Sequence, residues 1–154
     1  MQAVSEQRCD VCNAEMVAGR SPRAEGAFVD AAVEIEPFDV LACPQGHGIR
    51  YPYPEWGNEL REAVVEALPF ALPSGGEHLC VRCAAPLDGG GEPGDGRFPL
   101  RLRMRHGVEV TVTATLPVVV CARCGTAQAE LSGDLENDLE DALTEAFGAA
   151  GLEP

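Results

Sequence analysis

The chain has 154 residues, with 25 acidic against 11 basic side chains, a formal net charge of −14 and only 5% aromatic residues. A body this acidic repels phosphate backbones unless a basic patch is set apart, so a protein partner, itself basic, is the easier expectation and nucleic acid the less favoured one. Residues 1–8 are polar and lack the apolar stretch of a secretory signal, and the longest apolar run, Leu116 to Ala122, is too short to span a bilayer. A reduced, cytoplasmic setting with no membrane partner is expected.

The first feature in chain order is Cys9-Asp10-Val11-Cys12, a tight turn that points two thiolates at one ion. Three more such knuckles follow: Cys43-Pro44-Gln45-Gly46-His47, Cys80-Val81-Arg82-Cys83 and Cys121-Ala122-Arg123-Cys124. Together they use all seven cysteines. Seven defeats complete disulfide pairing, whereas adding His47 makes eight donors, or two sets of four. The expected cofactors are therefore two structural zinc ions, one held by Cys9, Cys12, Cys43 and His47 and the other by Cys80, Cys83, Cys121 and Cys124. The mixed set suits zinc better than iron. A closed four-donor site leaves no open coordination position for chemistry, so no enzyme is expected.

Residues 13–27 read as a loop or irregular strand. In 28–36, Val29, Ala31, Val33 and Ile35 alternate with Asp30, Ala32, Glu34 and Glu36, the pattern of a half-buried strand. Pro37 interrupts it, and Phe38 to Ala42 resumes as a second extended run that leads to Cys43. Asn58 is placed to cap a helix running to about Leu68, with Leu60, Val64, Ala67 and Leu68 on one face and Pro69 as its stop. Just before it, in the stretch 51–57, Tyr51, Tyr53 and Trp56 either pack this helix onto the strands or form an aromatic partner-binding patch. Residues 71–79 have the composition of a linker, and His78 is spare beside a site that already has four cysteines.

The second half repeats the plan of the first, offset by 71 residues at the first knuckles and 78 at the second. Val33 to Glu36 corresponds to Val110 to Thr113, and Val40 to Cys43 corresponds to Val118 to Cys121. An internal duplication accounts for both. The loop from Asp88 to Gly96 contains a formal G-x-G-x-x-G at Gly89, Gly91 and Gly94, but acidic residues surround it and a strand follows, so it reads as a flexible acidic loop and not as a phosphate cradle.

Leu100 to Met104 and Val108 to Thr113 form a hairpin whose register follows from which side chains must share a face. A three-residue loop, Arg105-His106-Gly107 with Gly107 left-handed, pairs Met104 with Val108 and Leu102 with Val110, and sets Arg103 opposite Glu109 and Arg101 opposite Thr111. It leaves Arg97, Arg101, Arg103 and Arg105 as an outer basic stripe. Asp134 or Ser132 caps a second helix running to about Phe147, where Gly148 stops it, with Leu135, Leu139, Ala142, Leu143, Ala146 and Phe147 inside and a strongly acidic outer face.

The C-x-x-C, hairpin, Leu116-Pro117-Val118-Val119-Val120-Cys121-Ala122-Arg123-Cys124-Gly125 entry and following acidic helix make the second half similar to the YgiT-type zinc finger, the N-terminal zinc-binding domain of MqsA-like antitoxins. The first half resembles it more weakly, with His47 in place of the last cysteine and an extra residue in that knuckle. The resemblance implies a zinc-stabilised binding module that engages a basic protein, with no DNA-reading domain expected after Phe147.

The expected fold is α+β, two tandem zinc-ribbon units of 1–70 and 80–150 joined by a 71–79 linker, each a small antiparallel sheet with a zinc site followed by a helix. The expected function is a non-catalytic interaction or regulatory module, with partner contacts at Tyr51, Tyr53, Trp56, Arg101 or Arg103. The alternative is a nucleic-acid or transcription-machinery zinc ribbon that uses the Arg97 to Arg105 stripe. No H-E-x-x-H is present, and His106-Gly107-Val108-Glu109 is one residue too long for the H-x-E of zinc deaminases.

Overall fold

The computed structural model describes residues 8–51, 53, 55–74, 77–87, 92–129 and 133–151. Expectations on residues 1–7, Pro52, Pro54, Gly75, Gly76, 88–91 and Ser132 lie outside these. The strands are β1 (Val17–Arg20), β2 (Ala24–Phe28), β3 (Ala31–Ile35), β4 (Asp39–Ala42), β5 (Ile49–Arg50), β6 (Leu72–Ser74), β7 (Glu77–Leu79), β8 (Glu92–Arg103), β9 (Glu109–Val120) and β10 (Ala127–Gln128). Helix α1 (Trp56–Ala67) follows β5, and α2 (Gly133–Ala149) follows β10. The fold is α+β, and no described helix is long and apolar enough to cross a membrane.

The largest sheet is antiparallel, in the order β8-β9-β3-β2, with β10 alongside the far end of β9. A three-stranded sheet, β1-β4-β5, and the small β6-β7 hairpin complete it. The expectation of a separate sheet for each half does not hold, because β3 from the first half pairs with β9 from the second, Ala32 opposite Thr115 and Ile35 opposite Val112. One apolar core also spans both halves, from Val33, Ile35 and Trp56 to Val112, Leu139 and Phe147. Strands as short as β2 and β3 cannot bury a face by themselves, and pairing with the twelve-residue β9 lets them share one. Within the stretch expected as a linker, β6 and β7 pair antiparallel, with Leu72 opposite Leu79.

Alternation along β9 decides what each face of the sheet does. Val110, Val112, Ala114, Leu116 and Val118 are buried, while Thr111, Thr113 and Thr115 are half-buried on the opposite face. The hairpin has the expected register, Arg101 opposite Thr111, Leu102 opposite Val110 and Arg103 opposite Glu109, and Gly107 closes the loop at φ +77°. The acidic loop is shorter than expected, because Glu92 to Gly96 already belong to β8 and pair with Leu116 to Val120. Pro117 is tolerated within β9 for a specific reason. The Thr111 carbonyl accepts from the Glu36 amide, so odd-numbered residues of β9 face β3, and position 117 falls between the stretch paired with β3 and the stretch paired with β10. Its missing N–H costs no ladder bond.

In the first half, Ala31, Val33 and Ile35 point inward as their alternation requires, but Val29 does not. It sits in the β2–β3 turn at φ +53° and is 77% exposed, and of the two readings for 13–27, loop or irregular strand, the strand applies at β1 and most of β2. The run between two half-buried strands was too short in apolar signal to separate strand from turn. Helix α1 begins at Trp56, two residues before Asn58, because the fully buried indole anchors the first turn. Asn58 does not cap it: its side-chain oxygen accepts from Arg61 Nη1 at 2.8 Å. Leu60, Val64 and Leu68 are buried as the periodicity requires, whereas Ala67 is exposed. Helix α2 runs through Gly148 to Ala149, since Ala150 is still buried and Gly151, at φ +82°, supplies the left-handed stop.

Two contacts lock the helices to the sheet. Trp56 stacks on Phe38 at 4.6 Å between ring centroids and meets Tyr51 at 5.4 Å and Phe147 at 5.9 Å. An aromatic partner patch containing Trp56 is thereby corrected: the ring is inside the core, with Tyr51 and Tyr53 half-buried around it. Helix α2 lies directly on the backbone of β2, where a Cβ on Gly26 would stand 2.1 Å from the Ala142 carbonyl oxygen and 2.5 Å from the Ala146 nitrogen.

Gly26→Val is expected to lower stability by about 3 kcal/mol or more, because neither clashing atom belongs to a flexible side chain. Gly94→Ala, with open space around it, should stay within about 1 kcal/mol of wild type. Urea unfolding of the two variants beside wild type checks both.

Candidate metal centres

Each knuckle is a backbone device before it is a set of ligands. In the three C-x-x-C turns the first cysteine donates its amide to the carbonyl five residues on: Cys9 to Ala14 at 2.9 Å, Cys80 to Ala85 at 2.8 Å and Cys121 to Thr126 at 2.9 Å. Its carbonyl accepts from the residue four on, namely Asn13, Ala84 and Gly125, and all three have positive φ. The left-handed residue reverses the chain and leaves the turn's amides aimed at sulfur. The Cys43–His47 knuckle absorbs its extra residue by closing one position earlier, with Gly46 donating to the Cys43 carbonyl at 3.0 Å and Cys43 donating to Gly48 at 3.0 Å. Gly46 and Gly48 take φ values of +82° and +143°, which favour glycine.

The turns bring the eight expected donors into two groups of four, Cys9, Cys12, Cys43 and His47 in one and Cys80, Cys83, Cys121 and Cys124 in the other, and within each group the donor atoms all lie within 4.8 Å of one another. In the first, Cys12 Sγ is 3.6 Å from Cys43 Sγ, and His47 Nδ1 is 3.7 Å from Cys9 Sγ and 3.6 Å from Cys43 Sγ. Nδ1 is therefore the imidazole atom turned toward the thiols. In the second, Cys80 and Cys124 sulfurs are 3.5 Å apart, and those of Cys83 and Cys121 are 3.7 Å apart. A tetrahedron with metal–sulfur bonds of about 2.3 Å has edges of roughly 3.5–3.8 Å. The donors thus surround a space of the right size for a tetrahedral ion such as zinc. His78 belongs to neither group.

Amides hold the sulfurs: Val11 on Cys9 at 3.4 Å, Gln45 on Cys43 at 3.3 Å and Arg82 on Cys80 at 3.4 Å. The second group has one more partner, Gln128, which is fully buried in β10. Its Nε2 donates to Cys80 Sγ at 3.3 Å and to the Thr126 carbonyl at 3.2 Å, while its Oε1 accepts from the Val81 amide at 2.6 Å. Sequence reading missed this residue. A glutamine a few residues past a knuckle carries no local signal, and only the pairing of β10 with β9 turns it inward.

Four neighbouring sulfurs cannot all ionise before a metal binds. Cys80 is drawn down to about 6, chiefly by the Gln128 amide against its burial, with the amides of Cys83 and Arg82 assisting. Although the Ala85 amide favours the thiolate of Cys83, burial and the adjacent sulfurs push that thiol up to about 11. Burial opposes ionisation of Cys43, but the amides of His47 and Gln45 outweigh it and bring the thiol to about 7.

The remaining expected contact residues lie apart from the metal centres. Arg101 and Arg103 are exposed on the open face of the large sheet. Arg97 is paired with Glu34 at 3.1 Å, and Arg105 grips Glu59 with two bonds of 2.7 and 2.8 Å while lying over the Tyr53 ring. Two members of the expected stripe are thus engaged within the chain.

Compared with known proteins, the chain matches no family model, and no curated protein or solved structure is significantly similar to it.

Gln128→Leu is expected to weaken metal affinity at the four-cysteine group by about 10–100-fold while leaving the Cys9 group unchanged, read by competition with a chromophoric chelator. Binding requires thiolates, so between the values near 6 and near 11 the four-cysteine group releases protons as metal enters. Affinity should therefore rise with pH and fall away as pH drops through about 6, where even Cys80 becomes protonated; metal titrations at pH 6 and pH 8 give the sign.

Proposed function

We propose that the chain is a non-catalytic zinc-binding protein, a duplicated zinc ribbon held by two structural zinc ions and serving as a protein–protein interaction or regulatory module. The observation that carries this reading is the convergence of four protein donors at each centre, all within 4.8 Å of one another. Four donors fill a tetrahedral ion, so neither metal retains a position at which water or substrate is activated. Duplication is supported by the shared knuckle bonds and by the order of elements, a knuckle, a hairpin, a second knuckle, a short strand and a helix in each half. Metal-bound thiolates fit a reducing compartment, and the YgiT-type resemblance of the second half points the same way, toward a binding role.

The partner surface is expected to be acidic. Asp134, Asp141 and Glu145 are exposed on α2, and the whole chain carries −14, so a basic protein is drawn to it before any specific contact forms. A second reading, nucleic-acid binding, is favoured by one observation, the exposure of Arg101 and Arg103 on the open sheet face. With Arg97 and Arg105 ion-paired, that face offers a thin basic footprint against the overall charge.

Native mass spectrometry with elemental analysis is expected to find two zinc ions per chain, and one in both His47→Ala and Cys121→Ser. Structural zinc contributes on the order of 10 kcal/mol to small metal-stapled folds, so Cys121→Ser should also lose cooperative melting. Iron, or no metal in the wild type, defeats the proposal. Binding to single-stranded or duplex nucleic acid that falls steeply with salt and is lost in Arg101→Ala with Arg103→Ala would favour the second reading.

A further inference from the structure

We infer that the two metal sites differ in permanence: the Cys9–Cys12–Cys43–His47 site exchanges zinc with its surroundings and makes its end of the molecule metal-responsive, whereas the four-cysteine site is a fixed staple. This rests on the two-zinc reading above and adds a regulatory role to one of its sites. Three independent observations carry it.

The donor sets differ in softness and in shelter. Three thiolates and an imidazole hold zinc less tenaciously than four thiolates do. In the first site both Cys12 and His47 are exposed, one on each knuckle, so a competing ligand reaches the ion across either turn. In the second, only Cys124 is exposed, Cys83 is half-buried, and Cys80 and Cys121 are 0% and 3% exposed.

The outer shells differ as well. Gln128 fastens the Cys80 sulfur and the Val81 amide from a fully buried position. The matching place in the first half is Arg50, which pairs with Leu41 in β4 as Gln128 pairs with Val119 in β9. Its guanidinium meets Asp10 at 2.8 Å, and that carboxylate is 90% exposed. An exposed ion pair contributes little, whereas buried partners of metal ligands commonly change affinity by about 10–100-fold.

The sites are also anchored to different amounts of protein. Both sites sit in four-residue clusters apart from the main core, Cys9 and Cys43 with Met16 and Leu41 and Cys80 and Cys121 with Ala71 and Leu87, but Cys43 follows the four-residue β4 in the β1-β4-β5 sheet. Cys121 ends β9, the central strand of the large sheet, and its neighbourhood is tied to the exit of α1 by the Ala71 amide to the Ala129 carbonyl at 2.7 Å and the Ala129 amide to the Pro69 carbonyl at 2.9 Å. Loss of the first zinc thus loosens two knuckles and the end of the short β4, while loss of the second pulls on β9, the strand that joins the two halves. As free zinc falls, the first site empties alone and its end of the β1-β4-β5 sheet opens over an otherwise folded body.

The test uses the full chain loaded with two zinc ions, held in excess EDTA with iodoacetamide at neutral pH and sampled over time. Native mass spectrometry is expected to show a one-zinc species that persists, with first-site loss about 10-fold faster or more. Peptide mapping should find Cys9, Cys12 and Cys43 alkylated while Cys80, Cys83, Cys121 and Cys124 are still protected. Hydrogen exchange of the one-zinc species should rise at Leu41, Ala42 and Ile49 and stay low along β9. Alkylation of all seven cysteines at one rate, earlier reaction of the four-cysteine site, or exchange that rises equally along β9 overturns the inference. A preparation that carries no zinc before EDTA is added sinks the two-zinc reading itself, and that outcome is visible at the first time point.

Discussion

Strand β9 forms backbone hydrogen bonds along both edges, to β8 on one side and to β3 and then β10 on the other. Because its inward residues are Val110, Val112, Ala114, Leu116 and Val118 and its last residue precedes Cys121, one strand joins the apolar core to a candidate metal centre. Its pairing with β3 is what turns two halves, each too small to bury much surface, into one body. The position of every other element follows from that joint: β2 completes the sheet beside β3, α2 lies across β2 at Gly26, and Phe147 from α2 reaches Trp56 from α1.

Core and knuckles divide the work of stability unequally between the two ends. The aromatic cluster of Phe38, Tyr51, Trp56 and Phe147 and the close contact at Gly26 hold the helices to the sheet without any help from metal ligands. The knuckles lie beyond this core, in two small clusters of their own. There, donor groups crowded within 4.8 Å of one another include thiols that repel as they ionise, a repulsion that a divalent cation at their centre would relieve. The charge pattern outside is consistent with this division: Arg23 with Glu25, Glu34 and Glu36, and Arg97 with Glu34, form an exposed network on the open sheet face that governs solubility more than stability.

Much of the candidate site was legible because ligand turns are local. The spacing of Cys9 with Cys12 or Cys43 with His47 already dictates that both donors face one point, and parity among seven cysteines nominates the histidine. The hairpin register was legible for a similar reason, since Leu102 and Val110 must share a face and Gly107 alone suits the left-handed loop position. Where apolar periodicity was weak, as in 13–29, the reading was coarse: 13–27 was left between loop and irregular strand where β1 and most of β2 lie, and Val29 was taken for an inward residue, since a β-branched residue in a left-handed turn has no sequence signature.

What the sequence determined by itself, then, was the set of eight donors, the alternation of β9, most of the inward stripe of each helix and the acidic exterior, because each depends on residues within a few positions of one another. Only the tertiary structure decided that β3 crosses to β9, that Gly26 must be a glycine, that Trp56 is core and that Gln128 touches sulfur. Each of these is a contact between segments tens of residues apart, whose partners are chosen by which apolar faces can be buried together and not by any local pattern.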